Sequence, residues 1–440
     1  MTDHSEITVG IDIGTSSVKA IAADQDGNVV RRSRIPHAFR IPSPQRFEHD
    51  AVTAWHDGPL AALAALGDDL DIRGVSVAAM VPSLTAVDGD ENPIAPGLLY
   101  GDERGAGGTG HPGESGELGR FLAWLATEYP DAAGFRPAQA VANAALTGAP
   151  VLSTTAAAAC WPLFDFRGWS ESLVTAAGAR VEQMPTLVPS GQPAGALSGR
   201  PNCVLEGGTI DAMGEQLVAG ADHDGDVLVI CGTTLITWCV NPAAADVPGY
   251  FPIPHTAPGK FLIGGPSNAG GLFLNWATGL LGQGDDDLDI DNLPLWVPYP
   301  RGERTPIDDP NRRAELHGMD LTHGPAAVRR AAYEAAGFVV RRTLEVSPEP
   351  ARRIVATGGG VRVREWVEAL AACTGLPVDV VAVPEGGALG AAFLGRVAAG
   401  LEQQASDAAR WARTAERIEP DPRWHAAADR RYERWSEVAR

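Results

Sequence analysis

No stretch of this chain is apolar for long enough to cross a bilayer, and its first residues, Met-Thr-Asp-His-Ser-Glu, are polar and acidic. They lack the basic start and apolar run of a secretion signal, so the expected address is the cytoplasm, with no membrane partner. Cysteine is scarce. The five present (Cys160, Cys203, Cys231, Cys239, Cys373) are scattered and form no C-x-x-C pair, so their spacing yields neither a disulfide framework nor a metal site. Blocks of basic residues are missing as well. With 55 acidic against 35 basic residues and a formal charge of −20, the chain would repel a nucleic-acid backbone, and no nucleic-acid partner is expected. Three nucleotide and hydrolase signatures are also lacking. There is no G-x-x-x-x-G-K-[ST] loop, no G-x-G-x-x-G in a strand-to-helix context, and no G-x-S-x-G elbow.

What is present is an internal echo. Residues 9–21 read Val-Gly-Ile-Asp-Ile-Gly-Thr-Ser-Ser-Val-Lys-Ala-Ile, and residues 227–239 read Val-Leu-Val-Ile-Cys-Gly-Thr-Thr-Leu-Ile-Thr-Trp-Cys. In both, an apolar strand reaches Gly-Thr, adds a short hydroxyl residue, and resumes as a second strand. The offset from Gly14 to Gly232 is 218 residues in a chain of 440, a length that itself implies two domains. Glycine followed by hydroxyl residues lets backbone N–H groups and side-chain hydroxyls approach a phosphate. Two copies in two half-chains predict a pair of related domains that serve one nucleotide.

Strands are expected over 7–13, 17–24 and 73–79, with a turn at Asp26-Gly27-Asn28 and a helix over 51–66 marked by Val52, Trp55, Leu60, Leu63 and Leu66. The alternation that follows predicts an α/β architecture. Residues 104–116 carry six glycines and read as a flexible loop or lid; 117–148 read as helical. Further helices are expected over 211–219 and 325–346, strands over 354–357 and 378–383, and a helical tail from about residue 402. The run Asp285 to Asp291 lacks the glycine and closing glutamate of a calcium loop and reads as a solvated acidic loop. The domain boundary is expected near residue 220, dividing the chain into 1–220 and 221–440.

Two acids stand out. Asp12 precedes Gly14, and a carboxylate beside a phosphate turn calls for a cation between them. Asp12 is thus a candidate Mg²⁺ partner, through water, the alternative being a strand-end acid that takes nearby backbone N–H groups. Thr15, Ser16 and Lys19 lie beside it. Asp211, in Glu206-Gly207-Gly208-Thr209-Ile210-Asp211, opens an expected helix; it reads either as a cap or as a general base toward a substrate hydroxyl. Gly358-Gly359-Gly360 and Glu385-Gly386-Gly387-Ala388-Leu389-Gly390 each precede a helix. Each reads as a site where a ring or phosphate touches backbone, or as a tight turn with close helix packing.

Taken in order, these segments resemble the FGGY family of carbohydrate kinases, within the actin/sugar-kinase/Hsp70 superfamily, nearest to its xylulokinase-like members. Val9 to Lys19 is similar to the family's first phosphate motif, Asp211 and its neighbours to the catalytic-base motif, and Cys231-Gly232-Thr233-Thr234 to the second phosphate motif. Pro298-Tyr299-Pro300-Arg301-Gly302-Glu303-Arg304-Thr305-Pro306 closely resembles the family's Gly-Glu-Arg-Thr-Pro segment, and Pro384 to Ala392 its closing glycine-alanine signature. The resemblance implies two ribonuclease-H-like (actin-like ATPase) domains with an active-site cleft between them: an N-terminal one with the sugar site and base, a C-terminal one for ATP. It implies Asp211 as base, Asp12 acting through Mg²⁺, and Thr15, Ser16, Lys19, Gly232, Thr233 and Thr234 at the phosphates of ATP. Gly358 and Gly359 would border the nucleoside. Tyr100-Gly101-Asp102-Glu103-Arg104 is similar to the family's W-x-D-x-R segment, which makes Asp102 and Arg104 sugar candidates.

The departures lie on the sugar side. Val81-Pro82 stands where xylulokinases carry Met-His, Tyr100 replaces the tryptophan, the segment after Arg104 is short and glycine-rich, and Ser153-Thr154-Thr155-Ala156 replaces a more acidic stretch. The expected activity is ATP-dependent phosphorylation of a small sugar or polyol, with D-xylulose or a related pentulose first. A nucleotide-binding regulatory relative without turnover is the alternative. A homodimer is compatible with either.

Overall fold

The computed structural model describes residues 6–105, 117–281 and 288–439. The expected lid falls for the most part on 106–116, and the first three residues of the acidic run on 285–287, both outside the described residues. The chain forms two compact units. One comprises Met1–Val218 with Glu385–Trp411, the other Ala219–Pro384 with Ala412–Arg440. The contiguous division into 1–220 and 221–440 therefore needs correction, because residues 385–411 return to the first unit. The reason is the close backbone packing of residues 386–398 on the strands of the first unit.

The first unit is built on a seven-stranded sheet. Its strands are β1 (Ile7–Ile13), β2 (Ser17–Ala23), β3 (Val29–Pro36), β4 (Ile72–Ala79), β5 (Pro193–Leu197), β6 (Arg200–Glu206) and the short β7 (Thr209–Ile210). They run β5-β6-β4-β1-β2-β3, with β7 also paired to β4. β1, β4, β6 and β7 are mutually parallel, whereas β2, β3 and β5 run against their neighbours. Every residue of β1 is buried, as a parallel strand covered on both faces requires, while β3 alternates half-buried with exposed residues as an edge strand does. The hairpin from β2 to β3 turns at Gly27, whose φ is 75°, and Asp24 Oδ1 accepts the amides of Asp26 and Asn28 at 2.9 Å. Two helices matter here: α1 (Ala138–Thr147) and α2 (Asp211–Ala219). The span expected to be one helical stretch, 117–148, is divided by a strand, Gly134–Arg136, which joins a smaller five-stranded sheet.

The second unit repeats the plan. Its strands are β8 (Asp226–Cys231), β9 (Leu235–Asn241), β10 (Phe251–Pro254), β11 (Phe261–Ser267), β12 (Arg353–Thr357), β13 (Val378–Val381) and β14 (Thr414–Ile418), in the order β10-β11-β9-β8-β12-β13-β14. From β11 to β14 the order and directions match those from β3 through β2, β1, β4 and β6 to β5. Helices α3 (Gly271–Leu281), α4 (Pro325–Val346) and α5 (Arg364–Thr374) belong to this unit. Helix α6 (Gly386–Ala398) belongs to the first, and α7 (Pro422–Val438) closes the chain. The tail was expected to be helical throughout, yet Thr414–Ile418 pairs with β13 as an edge strand. The helix behind it starts where Asp421 accepts the amides of Arg423 and Trp424, at 2.8 and 3.2 Å, with Pro422 just inside. No helix among the described residues is long and apolar enough to cross a membrane.

Candidate active site

Within the first unit, three parallel strands bring the sequence-predicted residues to one sheet end. Asp12 of β1 lies in register with Ala78 of β4, which lies in register with Thr209 of β7. Asp12, Val81-Pro82 and Asp211 therefore emerge at the carboxyl ends of neighbouring strands, where open α/β sheets bind ligands. Val81 and Pro82 are half-buried. Asp211 is the first residue of α2, half-buried, and its Oδ1 accepts the amide of Ala212 at 2.7 Å. The carboxylate thus sits in the favourable field of a helix N-terminus.

Asp12 is 8% exposed, and the Lys19 ammonium lies 3.2 Å from its Oδ2. The two face each other across the β1–β2 hairpin. Asp12 first, then Glu215 and Glu385 after it, hold the Lys19 proton more tightly than usual against the opposing effect of burial. Among the described residues no three His, Cys, Asp or Glu side chains gather as a metal site. That donor set fits Mg²⁺ only in the form the ion favours, with one carboxylate, the rest water and phosphate oxygen.

The turn between β1 and β2 contains Thr15 and Ser16, and its carbonyls are tied back into the protein. His49 Nε2 lies 2.8 Å from Thr15 O, and the His37 amide donates to Ser16 O at 3.1 Å. Trp55 Nε1 donates to His49 Nδ1 at 3.0 Å, so Nε2 carries the ring hydrogen and donates to Thr15. Burial, with His37 beside it, lowers the His49 pKa to about 4 and keeps the ring neutral. Sequence reading missed this histidine, because its partner is a backbone carbonyl 34 residues away.

The turn into Asp211 is held just as fully, again by residues not singled out. Glu206 is buried, and its carboxylate accepts Ser76 Oγ at 2.8 Å, the Gly191 amide at 3.1 Å and the Gly208 amide at 2.7 Å. Burial raises its pKa. Gln139 Nε2 reaches Thr209 O at 3.0 Å and Ala79 O at 3.4 Å, joining the strand before Asp211 to the strand before Val81. Asn143, one helical turn further along α1, donates to Gly207 O at 3.1 Å. The only signal was a polar pair at i and i+4 in an alanine-rich helix.

The glycines of 385–390 take the structural role. A Cβ on Gly10 of β1 would lie 1.7 Å from Ala388 O, and one on Gly74 of β4 would lie 2.2 Å from Gly395 O. A Cβ on Gly390 would lie 2.1 Å from Gly214 O. Helix α6 thus packs backbone to backbone on β1, β4 and α2, which is why residues 385–411 join the first unit. Gly387 lies beside both Asp12 and the Asp211 carbonyl, each 3.5 Å from where its Cβ would be.

Asp102 and Arg104 are committed to each other. Arg104 donates through Nε and Nη2 to the two oxygens of Asp102, both at 2.7 Å, and through Nη2 to Glu48 at 2.8 Å. Asp102 also accepts the Phe47 amide at 2.6 Å. Both side chains are almost sealed from solvent, and Arg104 lies over the Trp124 ring at 4.9 Å. This pair braces the smaller sheet.

In the second unit, Gly232, Thr233 and Thr234 form the turn between β8 and β9. Three residues separate the paired Cys231 and Leu235, against four between Ile13 and Val18 in the first unit. Gly358, with φ of 87°, and Gly360 pack against Cys231, while a Cβ on Gly359 would meet nothing within 4 Å among the described residues. Gly359 therefore offers open backbone beside the second turn.

Residues 7–118 match the N-terminal domain, and residues 229–399 the C-terminal domain, of the FGGY family of carbohydrate kinases. The chain is 26% identical over 443 residues to a xylulose kinase from Escherichia coli, covering 90% of each. It is 25% identical over 453 residues to a gluconokinase from Bacillus subtilis, covering 89% of this chain and 87% of the relative. The crystal structure of a xylulose kinase from Rhodospirillum rubrum superposes with a TM-score of 0.76 at 26% identity, covering 98% of each chain. The chain belongs to the FGGY family of carbohydrate kinases and is an ATP-dependent sugar kinase.

Proposed function

We propose that this kinase transfers the γ-phosphoryl group of ATP to a hydroxyl of a small sugar or polyol, with D-xylulose or a related pentulose first. The observation that carries the reading is the register that brings Asp12, Val81-Pro82 and Asp211 to one sheet end. In this reading Asp211 accepts the proton of the attacking hydroxyl. The hydroxyl oxygen bonds to the γ-phosphorus as the bond to the β–γ bridging oxygen breaks, and ADP leaves. Thr15 and Ser16 in one turn, and Gly232, Thr233 and Thr234 in the other, offer amides and hydroxyls to phosphate. Asp12 would hold Mg²⁺ through water, and Lys19 would steady its carboxylate. The ion, when bound, would neutralise charge on the phosphates. Gly358 and Gly359 would border the nucleoside.

Val81-Pro82 gives the sugar an uncharged wall, and Asp102 and Arg104 act behind the site by holding the smaller sheet. Relatives named xylulose kinase and gluconokinase both span the chain, so ketopentoses and sugar acids are the first two substrate classes to compare. The five cysteines are buried and joined by no disulfide, which suits a reducing cytoplasm, the address we propose.

A coupled ADP-release screen over ketoses, aldoses, sugar acids and polyols tests the proposal. One compound should stimulate release well above background, and Asp211→Ala should lower kcat by about 10²–10⁴-fold. Binding of ADP with no stimulation by any compound would favour the regulatory relative. Near wild-type turnover in Asp211→Ala would remove the base assignment.

A further inference from the structure

We infer that Glu303, the acid of the Gly302-Glu303-Arg304-Thr305-Pro306 segment, is a positioning residue for the second Gly-Thr turn, Gly232 to Thr234. The inference rests on the reading that this turn holds phosphate.

Glu303 is 2% exposed, and its hydrogen-bond partners are all donors. Oε2 accepts Ser267 Oγ at 2.9 Å, Oε1 accepts the Arg304 amide at 2.8 Å, and the Asn268 amide lies 3.3 and 3.4 Å from the two oxygens. A carboxylate satisfies such a set; a carboxamide would turn an N–H toward one of the donors. Two further bonds tie the same loop to the same segment. Asn268 Nδ2 donates to Gly302 O at 2.8 Å, and the Thr305 amide to Pro266 O at 3.2 Å. Glu303 thus fixes the chain where β11 ends.

That chain end is the seat of the turn. Ser267 pairs with Leu235, the first residue after the turn. Gly270 lies so close that a Cβ there would be 2.4 Å from the Leu235 nitrogen and 2.7 Å from Thr233 O. The next two residues open α3. The Gly271 amide donates to Gly232 O at 2.8 Å, and the Leu272 amide to Thr233 O at 3.1 Å. Helix N-terminal amides that would otherwise lack partners thus hold the turn's carbonyls, which would repel phosphate oxygens if they swung toward the ligand. Glu303 sets where those amides stand, four and five residues beyond Ser267. Its role is positional, since it bonds to none of the turn's own residues.

Full-length Glu303→Gln and the milder Ser267→Ala test this, with Thr233→Ala as a direct lesion in the turn. Titration calorimetry with ADP and steady-state kinetics supply the readouts. Glu303→Gln should raise the Kd for ADP and the KM for ATP roughly tenfold, with KM for the sugar within about twofold of wild type. Ser267→Ala should move the same two constants about threefold. Combined with Thr233→Ala, either variant should weaken ADP binding by less than the product of the single effects. Unchanged ADP affinity in both variants overturns the inference, as does an equal rise in sugar KM or strict additivity. If Glu303→Gln fails to fold, Ser267→Ala and its double variant decide alone. Should Thr233→Ala leave ADP binding intact, the phosphate reading of the turn fails first and takes this inference with it.

Discussion

The two units share a sheet order and a Gly-Thr turn, yet they hold that turn by different means. In the first, side-chain and loop donors do it: His49 on Thr15 O and the His37 amide on Ser16 O. In the second, the start of α3 does it, through the amides of Gly271 and Leu272. The strands leading into the turns differ as well. The cross-strand pair Asp12 and Lys19 of the first unit is matched by Ile230 and Ile236 in the second. A charged pair beside the turn suits a cation and phosphate, whereas two isoleucines only pack. The two units thus share a backbone frame, which depends on apolar strands and a glycine, and differ in the few side chains beside the turn.

The frame can be stressed at equivalent places. Gly10 and Leu228 stand 218 residues apart, like the two turns, and both are buried. Leu228→Ala should cost about 2–5 kcal/mol, the loss of apolar burial plus a cavity. Gly10→Ala should cost about 1–3 kcal/mol for the opposite reason, an added methyl driven into α6. Denaturant unfolding of both variants measures this, and a neutral Gly10→Ala would contradict the backbone contact of β1 with α6.

A second comparison concerns pH. Burial lifts the Glu303 carboxyl to about 7, against the pull of its donors and of Arg342. The native state therefore holds that proton more tightly than the unfolded chain, and Glu303's contribution to stability falls as pH rises from about 4.5 to 7. His49, lowered to about 4 by burial and by His37, has the opposite sign. Its native form binds the proton less tightly, so its contribution grows as pH rises from about 4 to 6.5. Unfolding free energies of wild type, Glu303→Gln and His49→Phe across this range should separate the two trends, each spanning roughly 3 kcal/mol. Wild-type-minus-variant differences that stay flat with pH would refute both.

At pH 7, His49→Phe should likewise cost about 1–3 kcal/mol of stability, because Trp55 Nε1 and Thr15 O would both lose a buried partner. The matching readout is a weaker ADP complex with little change in kcat once ATP saturates. A fall in kcat alone would mean that His49 serves chemistry rather than the turn.

Much of the frame was legible in advance. Helices α2 and α4 begin and end where the sequence placed them, and β1 and β2 agree within a residue. Such elements announce themselves through apolar periodicity and glycine-marked ends, which are local. The strand inside 117–148 and the edge strand at Thr414–Ile418 were not legible, since each is a strand only by virtue of its partner. Asp12, Lys19 and Asp211 could be singled out because motif and spacing mark them. Glu206, Gln139, His49 and Glu303 could not be assigned partners, because each takes at least one partner from a distant segment.

What the sequence determined by itself was therefore the repeated frame, its two Gly-Thr turns, the acid beside the first and the kinase family that these segments share. Apolar patterning and glycine act over a few residues and leave their mark in any window. Tertiary structure alone decided that residues 385–411 belong to the first unit, that Asp102 and Arg104 lock onto each other, and that the carbonyls of both turns are held from behind. Those outcomes depend on backbone-to-backbone approach and on buried hydrogen bonds between segments far apart in the chain, which exist only once the sheet has formed.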